Sequence, residues 1–152
     1  MTTSTARPST RGPIWLAGED GFDGAVFDRI FNGRRPDDRL PDAVLYAETD
    51  DDVVEGVRWA ADRGWTVATR SGGHAWASWS VREGGLLIDL SRMQEIDYDD
   101  ATGIVVSRPA VKGGDTLSPF LEERGRFFNG GHCPSVGIGG FLLQGGQGWC
   151  TR

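Results

Sequence analysis

Two glycine-rich segments carry the residues of this chain that could do chemistry. The first is Arg70-Ser71-Gly72-Gly73-His74-Ala75, and the second is Gly131-His132-Cys133-Pro134-Ser135-Val136-Gly137-Ile138-Gly139-Gly140. Glycine lets backbone N–H groups come close to a phosphate or another anion. A histidine in one segment and a cysteine in the other add two nucleophiles, which indicates covalent capture of a cofactor as well as its binding.

The first segment follows a predicted strand, so its consecutive amides form a nest for an anion. Arg70 would add a charge-assisted hydrogen bond, and His74 lies just past the nest. The alternative is a tight turn with a surface histidine, because short glycine-containing loops are common.

The second segment continues into Gly145-Gly146-Gln147-Gly148, which is too much glycine for a single turn. This density predicts backbone packed against a flat ligand or against other backbone. Pro134 follows Cys133 and stiffens the approach to the glycines. The alternative is a structural glycine-rich crossing with a buried, inert thiol.

Other types of site fit less well. The run from Gly137 lacks the third glycine of a dinucleotide fingerprint, and the chain has no Gly-Lys-Ser/Thr for a nucleoside triphosphate. A zinc site at His132, Cys133 and Cys150 lacks the usual ligand spacing, so no metal is predicted. A Cys133–His74 pair for acyl transfer stays open on residue types alone.

Composition limits the remaining classes of function. The 152 residues carry a net charge of -6, which disfavours a nucleic-acid or anionic-membrane partner. No apolar run approaches membrane-spanning length, and Met1–Pro13 is predicted to be a flexible lead-in without a signal sequence. Two cysteines do not make a disulfide framework, so a reduced cytoplasmic setting is expected.

Predicted elements place both segments after strands. Residues 1–36 are expected to form a lead-in with one helix, and residues 37–152 one domain. Apolar spacing and turn residues predict helices at Glu19–Asn32, from the Thr49 N-cap to Gly64, and Thr116–Arg124. They also predict strands at Ala43–Glu48, Trp65–Thr69, Leu86–Leu90 and Arg126–Phe128, and a hairpin of Met93–Tyr98 with Gly103–Arg108.

Three motifs, in this order, resemble the FAD-linked oxidases of the vanillyl-alcohol oxidase and p-cresol methylhydroxylase type, in the berberine-bridge-enzyme-like branch. They are Arg70–His74, Leu87-Ile88-Asp89-Leu90-Ser91-Arg92-Met93, and Cys133–Gly140 with Gly145-Gly146-Gln147-Gly148-Trp149. The resemblance implies the N-terminal part of a p-cresol methylhydroxylase-type FAD-binding domain, an α+β fold. A small α/β subdomain would be followed by the start of a second, mixed-sheet subdomain.

The resemblance also implies a covalent cofactor. His74 would bond the 8α methyl group of FAD, Cys133 would bond flavin C6 as a second link, and the segment around His74 would wrap the pyrophosphate. The expected cofactor-binding set is Arg70, Ser71, Gly72, Gly73, His74, Ala75, Cys133, Val136, Gly137, Gly139, Gly140, Gly145 and Gly146. The implied activity is oxidation of an alcohol, sugar hemiacetal or amine C–H in a small-molecule substrate, with electrons passing to O2.

Two features depart from the family pattern. Phe141 stands where many members have a histidine beside the flavin pyrimidine edge. The sequence stops soon after Trp149, so catalytic residues that members draw from later segments are unknown here. We therefore expect the isolated chain to be inactive. A small-molecule binding protein on the same scaffold and a non-functional fragment are the alternative functions.

Overall fold

A computed structural model describes residues 6–33 and 35–150. The first part of the fold is a four-stranded sheet. Its spatial order is β1-β2-β4-β3, formed by β1 (Ile14–Leu16), β2 (Ala43–Tyr46), β3 (Val67–Arg70) and β4 (Leu86–Asp89). β1 runs antiparallel to β2, and β2, β4 and β3 run parallel. The mixed sheet confirms the predicted α+β fold class.

Alternating side chains give this sheet two buried faces. Val44 and Leu87 point to one face and pack against α1 (Phe22–Phe27). Leu45 and Ile88 point to the other face, which α2 (Asp50–Asp62) covers. Strands buried on both faces read as continuous apolar runs, which is why the sequence predicted them well.

α2 begins as its sequence predicts. The Thr49 side chain accepts from the Asp52 backbone, and the Asp52 carboxylate accepts in return from the Thr49 N–H. Arg63 is the C-cap and Gly64 follows at a φ of 66°. Both the capping box and the glycine stop are therefore confirmed.

The N-terminal part differs from the prediction. The described part of the predicted flexible lead-in is anchored, because the backbone N–H groups of Arg11 and Gly12 donate to Asp52. β1, which the sequence did not predict, pairs with β2. The predicted helix Glu19–Asn32 is cut to α1 because Phe31 leaves the helix and donates its N–H to the Gly73 carbonyl.

Residues after the sheet form a second, smaller core. The hairpin of β5 (Ile96–Asp99) and β6 (Ile104–Ser107) is as predicted and packs one face against buried Val111, Leu117, Leu121 and Ile138. A π-helical turn, Gly113–Leu117, leads into α3 (Ser118–Glu122). This turn starts three residues before Thr116, so the predicted N-cap at Thr116 is wrong.

Two further predictions in this region were wrong. Arg126–Phe128 forms no strand, because the Arg126 N–H donates to the Leu121 carbonyl and closes the end of α3. The second glycine segment is part helix: α4 (Ile138–Leu143) begins within it, with Gly137 as its N-cap. Glycine-rich composition hid this helix, since glycine disfavours a helix interior.

Candidate functional site

The first glycine segment leaves the carboxyl end of β3. Its Arg70 is 2% exposed, and its Nε lies 2.5 Å from Asp89 Oδ2. The other guanidinium nitrogens donate to the carbonyls of Ala25 and Val26. The expected charge-assisted bond from Arg70 to a ligand is therefore corrected: this side chain ties β3 to β4 and α1 instead.

Asp89 lies within the Leu87–Met93 motif, where the sequence pattern predicted no role for it. It is fully buried at the end of β4, and its second oxygen accepts from the Ser91 N–H. An acid inside the apolar run Leu86–Leu90 was the available signal, because a buried charge needs a partner.

The two glycine segments touch backbone to backbone. A Cβ added to Gly72 would lie 2.4 Å from the Gly137 nitrogen, and one added to Gly137 would lie 2.7 Å from the Gly72 nitrogen. Ser71 Oγ strengthens the junction by accepting from the Gly140 N–H at 3.2 Å. Packing between the segments thus accounts for Gly72 and Gly137.

The surrounding backbone requires a glycine at position 73. Its φ is 70°, and an added Cβ would lie 1.8 Å from the Arg29 carbonyl oxygen. The Phe31 N–H donates to its carbonyl at 3.0 Å. The neighbouring Ala75 is exposed, and its carbonyl accepts from Ser78.

The segment with Cys133 is a tight turn held by the π-helical turn before α3. The Val136 N–H donates to the Cys133 carbonyl at 3.1 Å, and Gly114 donates to the Pro134 carbonyl at 2.9 Å. Gly113 donates to the Val136 carbonyl at 2.9 Å. Gly113 and Gly114 position the Cys133 turn, but no signal in the sequence pairs them with it.

His74 meets this turn through its side chain. The imidazole is half-buried, and its Nε2 lies 3.0 Å from Ser135 Oγ. The Phe31 ring stacks on it, with 4.4 Å between centroids and 19° between planes. Burial and the nearby charge of Lys112 lower the pKa of His74, and a hydrogen bond with the Ser135 backbone opposes them. Burial and the Lys112 charge therefore favour the neutral form of the imidazole.

The glycines from Gly139 to Gly146 lie within α4 or just after it. A Cβ on Gly139 would lie 2.7 Å from Pro109 Cβ, and one on Gly146 would lie 2.2 Å from the Phe141 ring. Gly145, at a φ of 74°, reverses the chain after α4. A Cβ added to Gly140 would make an ordinary contact with Ser71 Oγ, at 3.7 Å.

The side chains at this junction are a donor set that fits FAD. An imidazole on one segment touches the turn that carries the half-buried, free thiol of Cys133. Within residues 6–33 and 35–150, no three His, Cys, Asp or Glu side chains are grouped to hold a metal ion. The helices of this same described part are all too short or too polar to cross a membrane.

The chain is similar in sequence to known proteins. FAD-linked oxidoreductase nodO from Hypoxylon pulicicidum is 42% identical over 124 residues, which cover 82% of this chain and 27% of that protein. (R)-6-hydroxynicotine oxidase from Paenarthrobacter nicotinovorans is 31% identical over 156 residues, covering 99% of this chain and 32% of that protein. The chain thus spans about a third or less of these relatives.

Solved structures agree in fold. 6-Hydroxy-D-nicotine oxidase from Arthrobacter nicotinovorans superposes with a TM-score of 0.77 at 28% identity, covering 89% of this chain and 29% of that one. Glucooligosaccharide oxidase from Acremonium strictum, described as carrying a 6-S-cysteinyl, 8α-N1-histidyl FAD, superposes with a TM-score of 0.77 at 27% identity, covering 92% of this chain and 29% of that one.

The family match coincides with the two segments and the sheet that carries them. The model of the FAD binding domain matches residues 41–152, which include β2, both glycine segments and α4. The predicted resemblance to FAD-linked oxidases is confirmed, and the chain belongs to the FAD binding domain family.

Proposed function

We propose that this chain is the FAD-binding part of a flavin-dependent oxidase. The supporting observation is the contact of Gly72 with Gly137, which sets His74 against the turn that carries Cys133. The full enzyme would remove a hydride from the C–H of an alcohol, sugar hemiacetal or amine and pass electrons to O2. Bound FAD would supply this redox chemistry, and the protein its binding and tuning.

His74 is the proposed attachment point for the flavin 8α methyl group. Its lowered pKa keeps the imidazole neutral, and its half-buried position excludes part of the competing water. The Cys133 thiol is the proposed second attachment point, at flavin C6. The glucooligosaccharide oxidase with a cysteinyl and histidyl FAD supports both links.

Backbone amides at the junction are the proposed phosphate site. Ser71, Gly72 and Gly73 present consecutive backbone beyond β3, where ligands bind in open sheets with parallel strands. Ala75 and Gly140 flank this strip, and Val136, Gly139, Gly145 and Gly146 shape the second segment around it. We assign no phosphate contact to Arg70.

The substrate class is inferred from relatives. One is a xylooligosaccharide oxidase from Thermothelomyces thermophilus, 35% identical over 80% of this chain, and another acts on 6-hydroxynicotine. These names support a small molecule with an oxidisable C–H beside oxygen or nitrogen. Because the chain spans about a quarter of the first of these proteins, we propose that residues 1–152 alone do not turn over.

Acid precipitation of the complete protein that contains this sequence tests the proposal. We expect a yellow pellet, with flavin mass on the peptides of His74 and Cys133. His74→Ala and Cys133→Ala should each remove one link. A colourless pellet with both peptides at unmodified mass would exclude covalent FAD. Anaerobic reduction of the flavin by a panel of sugars, alcohols and amines separates an oxidase from a binding protein, which would leave the flavin oxidised.

A further inference from the structure

The two ring nitrogens of His74 have different surroundings. Nε2 lies 3.0 Å from Ser135 Oγ, and the stacked Phe31 ring fixes the plane of the imidazole. The contact with Phe31 fixes the plane of the ring, and the contact with Ser135 fixes its rotation within that plane. The side chain therefore has one orientation. Nδ1 is then the nitrogen on the far side of the ring from Ser135.

The Ser135 hydroxyl can hold a hydrogen on Nε2. A neutral imidazole carries one N–H, and a hydroxyl oxygen can accept from it. The contact joins Nε2 to Ser135 Oγ at 3.0 Å, and burial and the charge of Lys112 lower the pKa of His74, which favours the neutral ring. With its hydrogen on Nε2, the ring has its lone pair on Nδ1.

We propose that Ser135 is a positioning residue for flavin attachment, one that holds Nε2–H of His74 and so presents Nδ1 to the 8α carbon. This inference rests on the proposed FAD-binding function. It also gives the second glycine segment a role beyond shaping the proposed phosphate site: Gly113 and Gly114 fix the Cys133–Val136 turn, and Ser135 in that turn contacts the histidine.

The attachment step balances with O2 as oxidant. A bond forms between Nδ1 and the 8α carbon while one C–H bond of the 8α methyl group breaks. The imidazole loses its Nε2 proton toward Ser135 and solvent. Two electrons and two protons pass to the isoalloxazine ring, and O2 removes them as H2O2.

Three variants of the complete protein test the role. Ser135→Ala removes the hydroxyl, and Ser135→Thr keeps it. Ser118→Ala is the matched control, since Ser118 Oγ donates to the Gly113 carbonyl in the neighbouring turn and does not reach His74. Each apoprotein is mixed with FAD, and flavin retained after acid precipitation is followed with time. In each apoprotein, 15N NMR of His74 reports which ring nitrogen carries hydrogen.

We expect Ser135→Ala to slow covalent attachment about tenfold, the effect of losing roughly one hydrogen bond. Its His74 should become a mixture of tautomers, whereas wild type, Ser135→Thr and Ser118→Ala keep hydrogen on Nε2. If Ser135→Ala acted only by disturbing the turn, it would not shift the tautomer selectively. Ser135→Thr would then also fail to restore the wild-type tautomer.

Other outcomes overturn the inference in separable ways. Wild-type attachment rate and tautomer in Ser135→Ala would remove the role of Ser135 and leave FAD binding intact. Hydrogen on Nδ1 in the wild-type apoprotein, or FAD bound without a covalent bond, would do the same. No bound FAD in wild type would end both the inference and the proposed function.

Discussion

The sheet region, residues 12–93, and the hairpin region, residues 94–150, are built differently. In the sheet region helices cover both faces, and Leu45, Leu87 and Ile88 are fully buried. In the hairpin region only one face is packed, while Ile104 and Val106 on the other face are 59% and 64% exposed. The sheet region thus has a complete core of its own, and the hairpin region has half of one.

The site lies where these regions meet. The sheet region supplies His74, and the hairpin region supplies Ser135 and Cys133. The regions are joined by the glycine contact and by Arg108 Nη1, 2.6 Å from Asp50 Oδ1. The fully packed sheet region therefore carries His74, and the half-packed hairpin region contacts its imidazole.

Asp89→Ala should have the largest effect, a loss of stability of the sheet region. It leaves the buried Arg70 guanidinium without its counter-charge, which costs about 3–5 kcal/mol. Asp97→Ala, at an exposed position of β5, is the matched control and should change stability by less than about 0.5 kcal/mol. Urea unfolding followed by circular dichroism measures both. Equal effects would show that the sheet region is not the dominant core.

Gly72→Ala should separate the two regions. The added methyl group meets the Gly137 backbone, and overpacking of this kind costs about 1–3 kcal/mol. Gly33→Ala is the control, because nothing lies within 4 Å of its added Cβ. FAD retention and urea unfolding are measured on both. A stable Gly72→Ala protein that retains FAD would mean that the junction is dispensable.

Asp52→Ala tests the stability of the sheet region without touching the site. It removes the capping box of α2 and the acceptor for Arg11 and Gly12, at a cost of about 1–2 kcal/mol. Asp51→Ala, exposed in the same first turn, should cost less than about 1 kcal/mol. Thermal unfolding distinguishes them. Identical melting curves would contradict a stabilising role of the Asp52 hydrogen bonds.

Lys112→Gln should have the smallest effect, on the pKa of His74 and not on the fold. The lysine charge lowers that pKa, so its removal raises the pKa toward the ordinary value. The wild-type imidazole stays neutral to lower pH, and the variant protonates earlier as pH falls. An NMR titration of His74 measures the shift, with Arg126→Gln as the control at an exposed site. An unchanged pKa would remove Lys112 from the electrostatics of the site.

Local signals predicted much of the fold. The apolar strands β2 and β4, the Thr49–Asp52 capping box and the hairpin were visible because each depends on residues close in sequence. β1 and the early end of α1 were not visible, since both depend on partners more than twenty residues away.

The sequence by itself determined which side chains could react: an imidazole and a thiol within glycine-rich backbone. Tertiary structure decided what surrounds them. In the folded chain Arg70 is buried against Asp89, Gly72 and Gly137 pack against each other, and Ser135 contacts His74. Reactivity is a property of residue type, whereas burial, approach and hydrogen-bond partners arise when segments distant in the chain pack together.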